Sequence, residues 1–383
     1  MCILLLSTAH PKYPLVLLSN RDEFLDRPTK AAGFWPEPDA DVIGPMDLAR
    51  EEHGTWIGVS KSGRIAILVN FREETVSDAV SPISRGALVR HFLVARDQST
   101  SEWAQSAITK AGPGGLFSVG GFSMVCGVLR RRPTAQQGDL PASKPVDEER
   151  LEKMAVLTNR STSLDEGTSW LFSPDECANP AVDQETESTS ENDLYSTVRK
   201  HTYGISNSLY TNPWPKVYKG CDLLSSLIAE DIGNPGSKTG DKEEFISSLF
   251  DILSTDNLPR DALGSGNPAL VFDALKHSIK IPVFSSTSGV LKADEDLLSP
   301  VPTDSSMTTD EPAVVVQHVN SRFETHTSDK PYEFRQGKYY GTRTQTLILV
   351  DNEGHVTYAE RDLNDPLRRE HSIHEFDIEG WNE

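Results

Sequence analysis

The sequence predicts a layered α+β domain, with strand-rich sheets covered by outer helices. Three observations point there. Apolar runs of strand length dominate both ends of the chain, helical periodicities lie between them, and no internal repeat is present. At 383 residues the chain has the length of one large domain or two, and we read it as one, spanning 1–383.

The elements follow in order. Ile3–Leu6 and Leu15–Ser19 are apolar runs separated by His10-Pro11-Lys12-Tyr13-Pro14, whose prolines lack the N–H needed to continue a ladder, so a hairpin is predicted. Thr55–Ser60 and Arg64–Phe71 flank Lys61-Ser62-Gly63, a short turn ending in glycine. In Ser84–Arg96 the apolar Leu88, Val89, Phe92, Leu93 and Ala95 recur at helical spacing, and Trp103–Lys110 reads as a second helix stopped by a Gly/Pro cluster. Phe122–Leu129, Met154–Thr158 and His201–Ser206 are strands. Asp222–Asp231 and Lys242–Ser254 are helices. Thr346–Val350 and His355–Glu360 close the chain around a turn at Asp351-Asn352-Glu353-Gly354. Three stretches, Arg130–Arg150, Ser161–Ser196 and Ser285–Asp329, hold too few apolar side chains to offset the entropy of ordering them and are expected as disordered insertions.

Composition narrows the function. Lys and Arg total 37 against 57 Asp and Glu, a formal net charge of −20. Such a surface repels phosphate backbones and anionic lipid heads, so no nucleic-acid partner is expected. Cys2, Cys126, Cys177 and Cys221 are far apart, which argues against both a disulfide framework and a zinc site and fits a reducing compartment. No run approaches the ~18 apolar residues of a membrane-spanning helix, and the N-terminal run lacks a basic n-region. A soluble, cytoplasmic protein is expected, without a metal or required cofactor.

Cys2 is the most informative residue. A penultimate residue this small permits removal of Met1, which leaves a thiol and a free α-amine on one residue. The amine can then take the thiol proton. The alternative is a small apolar residue opening a buried strand. Four consecutive polar residues, Asn20-Arg21-Asp22-Glu23, end the second apolar run, where a solvated turn would also tolerate them. An antiparallel hairpin returns them towards residue 2. Arg21 would then stand beside the thiolate, and Asp22 would orient the α-ammonium. Asn70 and Asn207 each follow a strand; each can donate to an oxyanion or simply cap a turn. Arg343, in Tyr340-Gly341-Thr342-Arg343-Thr344, has the fork to hold an anionic group. Gly54-Thr55-Trp56 is read as strand entry and packing. The serine-hydrolase elbow is absent, and no histidine pair has metal-ligand spacing.

Taken together, Met1-Cys2-Ile3, Asn20-Arg21-Asp22-Glu23-Phe24 with Arg27-Pro28, Gly54-Thr55-Trp56-Ile57-Gly58, Val69-Asn70, Tyr203-Gly204-Ile205-Ser206-Asn207 with Pro213-Trp214-Pro215-Lys216, and Tyr340-Gly341-Thr342-Arg343-Thr344 resemble the NRDE family, also called the transport and Golgi organisation family. That family is in turn similar to N-terminal-nucleophile (Ntn) hydrolases of the bile-salt hydrolase and penicillin V acylase type. The resemblance implies a four-layer αββα sandwich with two stacked antiparallel sheets. It implies Cys2 as nucleophile, with Arg21, Asp22, Asn70 and Asn207 as catalytic partners. Asn20, Glu23 and Arg343 are expected to contact the ligand. It also implies a role in Golgi and endoplasmic-reticulum organisation, protein secretion, lipid homeostasis and haem trafficking, with Golgi or mitochondrial association.

Three functions are therefore carried forward. The first is a carrier that binds a small hydrophobic ligand, haem or an acyl lipid, in an Ntn-type cleft, haem being cargo. The second is a cysteine amidohydrolase that cleaves a C–N amide bond, and the third a non-catalytic scaffold of the secretory pathway.

Overall fold

The computed structural model describes residues 1–73, 84–110, 119–131, 151–161, 168–172, 179–181, 194–233, 241–263, 267–285, 338–365 and 370–382. Fourteen strands among them form two seven-stranded sheets in which every pairing is antiparallel.

The first sheet contains β1 (Ile3–Ser7), β2 (Leu15–Phe24), β10 (Thr202–Ser206), β11 (Phe284–Ser285), β12 (Tyr339–Val350), β13 (His355–Asp362) and β14 (Ser372–Asp377), in the order β10-β1-β2-β12-β13-β14, with β11 beside β12. The second contains β3 (Thr29–Phe34), β4 (Val42–Asp47), β5 (Ile57–Ser60), β6 (Arg64–Asn70), β7 (Phe122–Val128), β8 (Met154–Thr158) and β9 (Thr168–Leu171), paired in simple sequence order.

The layering explains the unbroken apolar runs. In β1, Leu4 and Leu6 enter the core between the sheets together with Leu15, Leu17, Ile57, Ile67, Val125 and Ile348. Ile3 and Leu5 face the other way, into a core shared with Val217, Cys221, Leu224, Phe245 and Leu249. A strand buried on both faces has no polar side to alternate with. The second sheet has its own outer core, where Ala66, Leu68 and Met124 meet Leu88, Phe92 and Trp103. Three apolar layers separate four layers of secondary structure, so the chain is an αββα sandwich, as the resemblance implied.

Helices α1 (Arg85–Val94) and α2 (Thr100–Lys110) cover the second sheet. α3 (Leu194–Lys200), α4 (Pro215–Gly233) and α5 (Lys242–Leu253) cover the first; α6 (Arg260–Leu263) and the short α7 (Pro268–Leu275) lie near the N-terminus. α4 opens on Pro215, whose fixed φ suits a first helical turn. It lies unusually close to the sheet. A Cβ on Gly220 would stand 2.8 Å from Leu5, and one on Gly204 would stand 2.6 Å from Val217.

Several elements differ from expectation. β2 does not stop at Ser19 but runs through the whole polar cluster to Phe24, because β12 pairs with it along that length. β12 likewise starts at Tyr339 rather than Thr346. α4 begins at Pro215, seven positions before the apolar periodicity becomes evident. Within the expected insertion 161–196, Thr168–Leu171 forms edge strand β9, Leu171, Phe172 and Ala181 are buried, and α3 begins at Leu194. Sparse apolar residues there suffice because a pre-existing sheet edge and core receive them. Arg131 bridges to Leu151 across the expected insertion 130–150. The rest of that stretch, and all of 286–329, lie outside the described residues.

Candidate functional site at the N-terminus

The site forms where the ends of β1, β2, β10 and β6 converge. Register sets it: Ile3 pairs with both Asn20 and Ser206, which places Cys2 beside Arg21 and Asn207. Side chains alternate along β2, so Ser19 and Arg21 face the second sheet, whereas Asn20 and Asp22 face the helices.

Asp22 is the centre. Its Oδ2 lies 2.7 Å from the α-ammonium of Met1, and its Oδ1 accepts the Thr342 hydroxyl at 2.6 Å. The Met1 ammonium also donates to the Tyr340 hydroxyl at 2.5 Å, and that hydroxyl donates to the Asp22 carbonyl at 3.3 Å. The Lys216 ammonium, fully buried on the first turn of α4, donates to the carbonyl oxygen of Met1. Met1 is only 7% exposed, and its side chain is packed among Leu258, Ala274, Leu275, Ile281 and Phe284, with Trp214, Val271 and Tyr340 around them. The first residue is thus held at its amine, carbonyl and side chain.

Cys2 is half-buried. Its thiol points to the Asp22 carbonyl at 3.9 Å, and its own carbonyl accepts the Ser206 hydroxyl at 2.7 Å. Burial pushes the thiol pKa up; the nearby α-ammonium opposes this most, and Arg21 only weakly. Arg21 does favour the thiolate, but desolvation outweighs it while Met1 is in place. Arg21 also stacks on Trp56, its guanidinium carbon 3.9 Å from the ring centroid, and approaches Glu23 at 3.7 Å. Its Nη1 is buried with no hydrogen-bond partner among the described residues.

Burial likewise draws the Met1 amine below 8.0 and the Lys216 ammonium below 10.5, each against the pull of Asp22. Burial and the charge of Asp22 raise the Tyr340 hydroxyl well above 10.0.

The remaining expected residues divide. Asn207 donates through Nδ2 to the Asn70 carbonyl at 2.5 Å, and so clips β10 to the end of β6, while its Oδ1 is buried without a partner among the described residues. Asn70 is exposed, and it is its backbone that the clip uses. Asn20 is fully buried, and its amide donates to the carbonyls of Leu253 and Ile279 at 2.8 and 2.9 Å. It ties β2 to the helical layer. The Glu23 carboxylate lies between Arg21 and Arg27. Arg343 sits where the β2–β12 register shifts; it donates to the Arg27 carbonyl and lies 3.5 Å from Asp362.

Lys216, Thr342 and Tyr340 join this site although nothing in their local sequence marks Thr342 or Tyr340 for it. A signal for Lys216 was present: it lies four residues before Gly220 and eight before Leu224, on the apolar face of α4.

While Met1 is in place the nitrogen of Cys2 is an amide and cannot accept a proton. Removing Met1 would leave a free α-amine on the residue that carries the thiol. Among the described residues no set of three or more His, Cys, Asp or Glu is placed to hold a metal ion, and no helix is long and apolar enough to cross a membrane.

The family model for Transport and Golgi organisation 2 matches residues 1–365. The chain belongs to this family. The Transport and Golgi organization protein 2 homolog of Bos taurus is 25% identical over 372 residues, covering 96% of this chain and 94% of that protein. The human homolog is 26% identical over 356 residues, with 92% and 88% coverage. Among solved structures, a mutant conjugated bile acid hydrolase from Clostridium perfringens aligns over 100% of this chain and 95% of that one, with 11% identity and a TM-score of 0.39. A Caenorhabditis elegans ortholog of N-acylethanolamine-hydrolyzing acid amidase aligns over 66% and 86%, with 9% identity and a TM-score of 0.35.

Proposed function

We propose that this member of the Transport and Golgi organisation 2 family serves Golgi organisation and secretion by binding a small apolar ligand at the N-terminal cleft. The observation that carries this reading is the apolar cluster of Leu258, Leu275, Ile281 and Phe284 around the Met1 side chain, whose ammonium and carbonyl meet a buried carboxylate and a buried ammonium. A scaffold surface has no need of two buried charges, whereas a ligand with an apolar body and a polar head uses both. An acyl lipid fits that description, and haem, with its propionates, is the alternative cargo.

The test is fluorescence titration of the chain, with and without Met1, using haemin and an acyl lipid. Trp214 borders the recess, so its emission should be quenched on binding, and Trp214→Phe should remove that signal. Binding that leaves the signal of Trp214 unchanged places the ligand elsewhere and overturns the reading.

A second reading, cysteine amidohydrolase activity, is favoured by the 2.7 Å contact between Asp22 and an α-ammonium. A carboxylate that grips an N-terminal amine is what orients such an amine as a base. Slow release of amine from an acyl amide by the Met1-free chain, abolished by Cys2→Ala, is the result this reading requires.

A further inference from the structure

We infer that the place held by Met1 is an acyl half-site, in which Lys216 holds a ligand's carbonyl oxygen and the recess beyond it holds a short, unbranched chain. This rests on the reading that the cleft takes an apolar ligand, and it names the ligand's chemistry.

The argument starts from Lys216. Its side chain is fully buried, and its ammonium donates to the carbonyl oxygen of Met1. A buried ammonium without an acceptor is costly. When Met1 is removed that acceptor leaves with it. A ligand carbonyl at the same point restores the hydrogen bond. The group that Lys216 holds in the Met1-bearing chain is a neutral amide carbonyl, and a ligand amide presents the same acceptor at the same point.

The second observation is the recess itself. Leu258, Ala274, Leu275, Ile281 and Phe284 close around a linear side chain, and each of these five is at most 7% exposed. The side chain that they pack against, that of Met1, is unbranched. Methionine therefore marks both ends of the ligand: a carbonyl at Lys216 and an unbranched chain beyond it. The same contacts make the Met1-bearing chain self-blocked, because its first residue fills the site.

The test compares the chain beginning at Met1 with one whose fusion partner is cleaved to expose Cys2, titrated calorimetrically with straight-chain alkanoyl anilides from acetyl to decanoyl. In the Met1-free chain affinity should rise about fourfold per methylene, the worth of a buried CH₂, until the chain matches the Met1 side chain, and then level off. The Met1-bearing chain should bind at least about tenfold more weakly. Lys216→Met should weaken every anilide by about tenfold, the loss expected for a hydrogen bond from a charged donor, without changing the length profile. Phe284→Ala should move the plateau to longer chains, which keeps the recess testable if Lys216→Met fails to fold.

Equal binding by both chain forms, tight binding of the branched pivaloyl anilide, or a preference for free fatty acids would overturn the half-site. If anilides bind but ignore Met1 and Lys216, the half-site falls while the apolar-ligand reading stands. If neither anilides nor haemin bind either form, both fall.

Discussion

Replacing Asp22 by asparagine preserves shape and removes the carboxylate that faces two buried cations. In the Met1-bearing chain its Oδ2 is 2.7 Å from the α-ammonium, and Lys216 feels the same charge. Breaking a buried pair by neutralising one partner costs roughly 3–5 kcal/mol. The unfolding entropy of a chain this long is about 0.8 kcal/mol per kelvin, so the loss corresponds to roughly 4–6 °C in Tm. The pH dependence gives the stricter check. Burial already holds the Met1 amine below its unfolded value of 8.0, and losing Asp22 lowers it further. A basic group with a depressed folded pKa binds fewer protons when folded, so its full stability is present above pH 8.0 and is lost as the pH falls through the folded pKa. The gap between wild type and Asp22→Asn should therefore be widest near pH 6 and narrow above pH 8. Differential scanning calorimetry of both proteins across pH 6–9 measures it. A variant as stable as wild type at pH 6, or a gap that widens with pH, would refute the account of this ion pair.

Other outcomes follow from the same geometry. Among Cys2, Cys126 and Cys221, limiting iodoacetamide at neutral pH should label Cys2 first, because the other two are fully buried with thiols pushed up to about 12; peptide mapping that finds Cys126 or Cys221 labelled first contradicts this. Glu360 is buried and lifted to about 7, so the stability it allows is complete below about pH 4.5 and is lost as the pH rises through 7. Glu360→Gln should abolish a decline of roughly 3 kcal/mol between pH 5 and pH 8, read from urea unfolding midpoints. Gly220→Ala would drive a methyl against Leu5 and push α4 off β1, costing about 1–3 kcal/mol and loosening Lys216 from its acceptor; an unchanged Tm and unchanged ligand affinity would show that the close approach is unimportant.

Much of this was legible in the sequence. Continuous apolar runs gave the doubly buried strands, and helical periodicity gave the main covering helices, because both patterns are imposed by layers that the chain itself builds. Cys2, Arg21 and Asp22 were brought together by a simple argument from an antiparallel hairpin. What stayed hidden depends on partners distant in sequence. β2 extends through Asn20–Glu23 only because β12, more than three hundred residues later, pairs with it. The direction of Asn20, into the helical layer, follows from a strand continuing where a turn was expected. Edge strand β9 has little apolar content of its own and is ordered by β8. The pKa of Cys2 could not be judged from the adjacent Arg21, since it is set by burial that only the folded chain creates.

The central claim is that an apolar ligand binds in the recess occupied by Met1, beside Asp22, Lys216 and Cys2. Photo-crosslinking tests it most directly: a straight-chain acyl amide bearing a terminal diazirine is irradiated with the Met1-free chain, and the adducts are mapped by tandem mass spectrometry. The account predicts adducts on Leu258, Leu275, Ile281 or Phe284, suppressed by excess unlabelled amide and absent when Met1 is retained. Adducts confined to residues outside this recess, or equally abundant with Met1 in place, would contradict it.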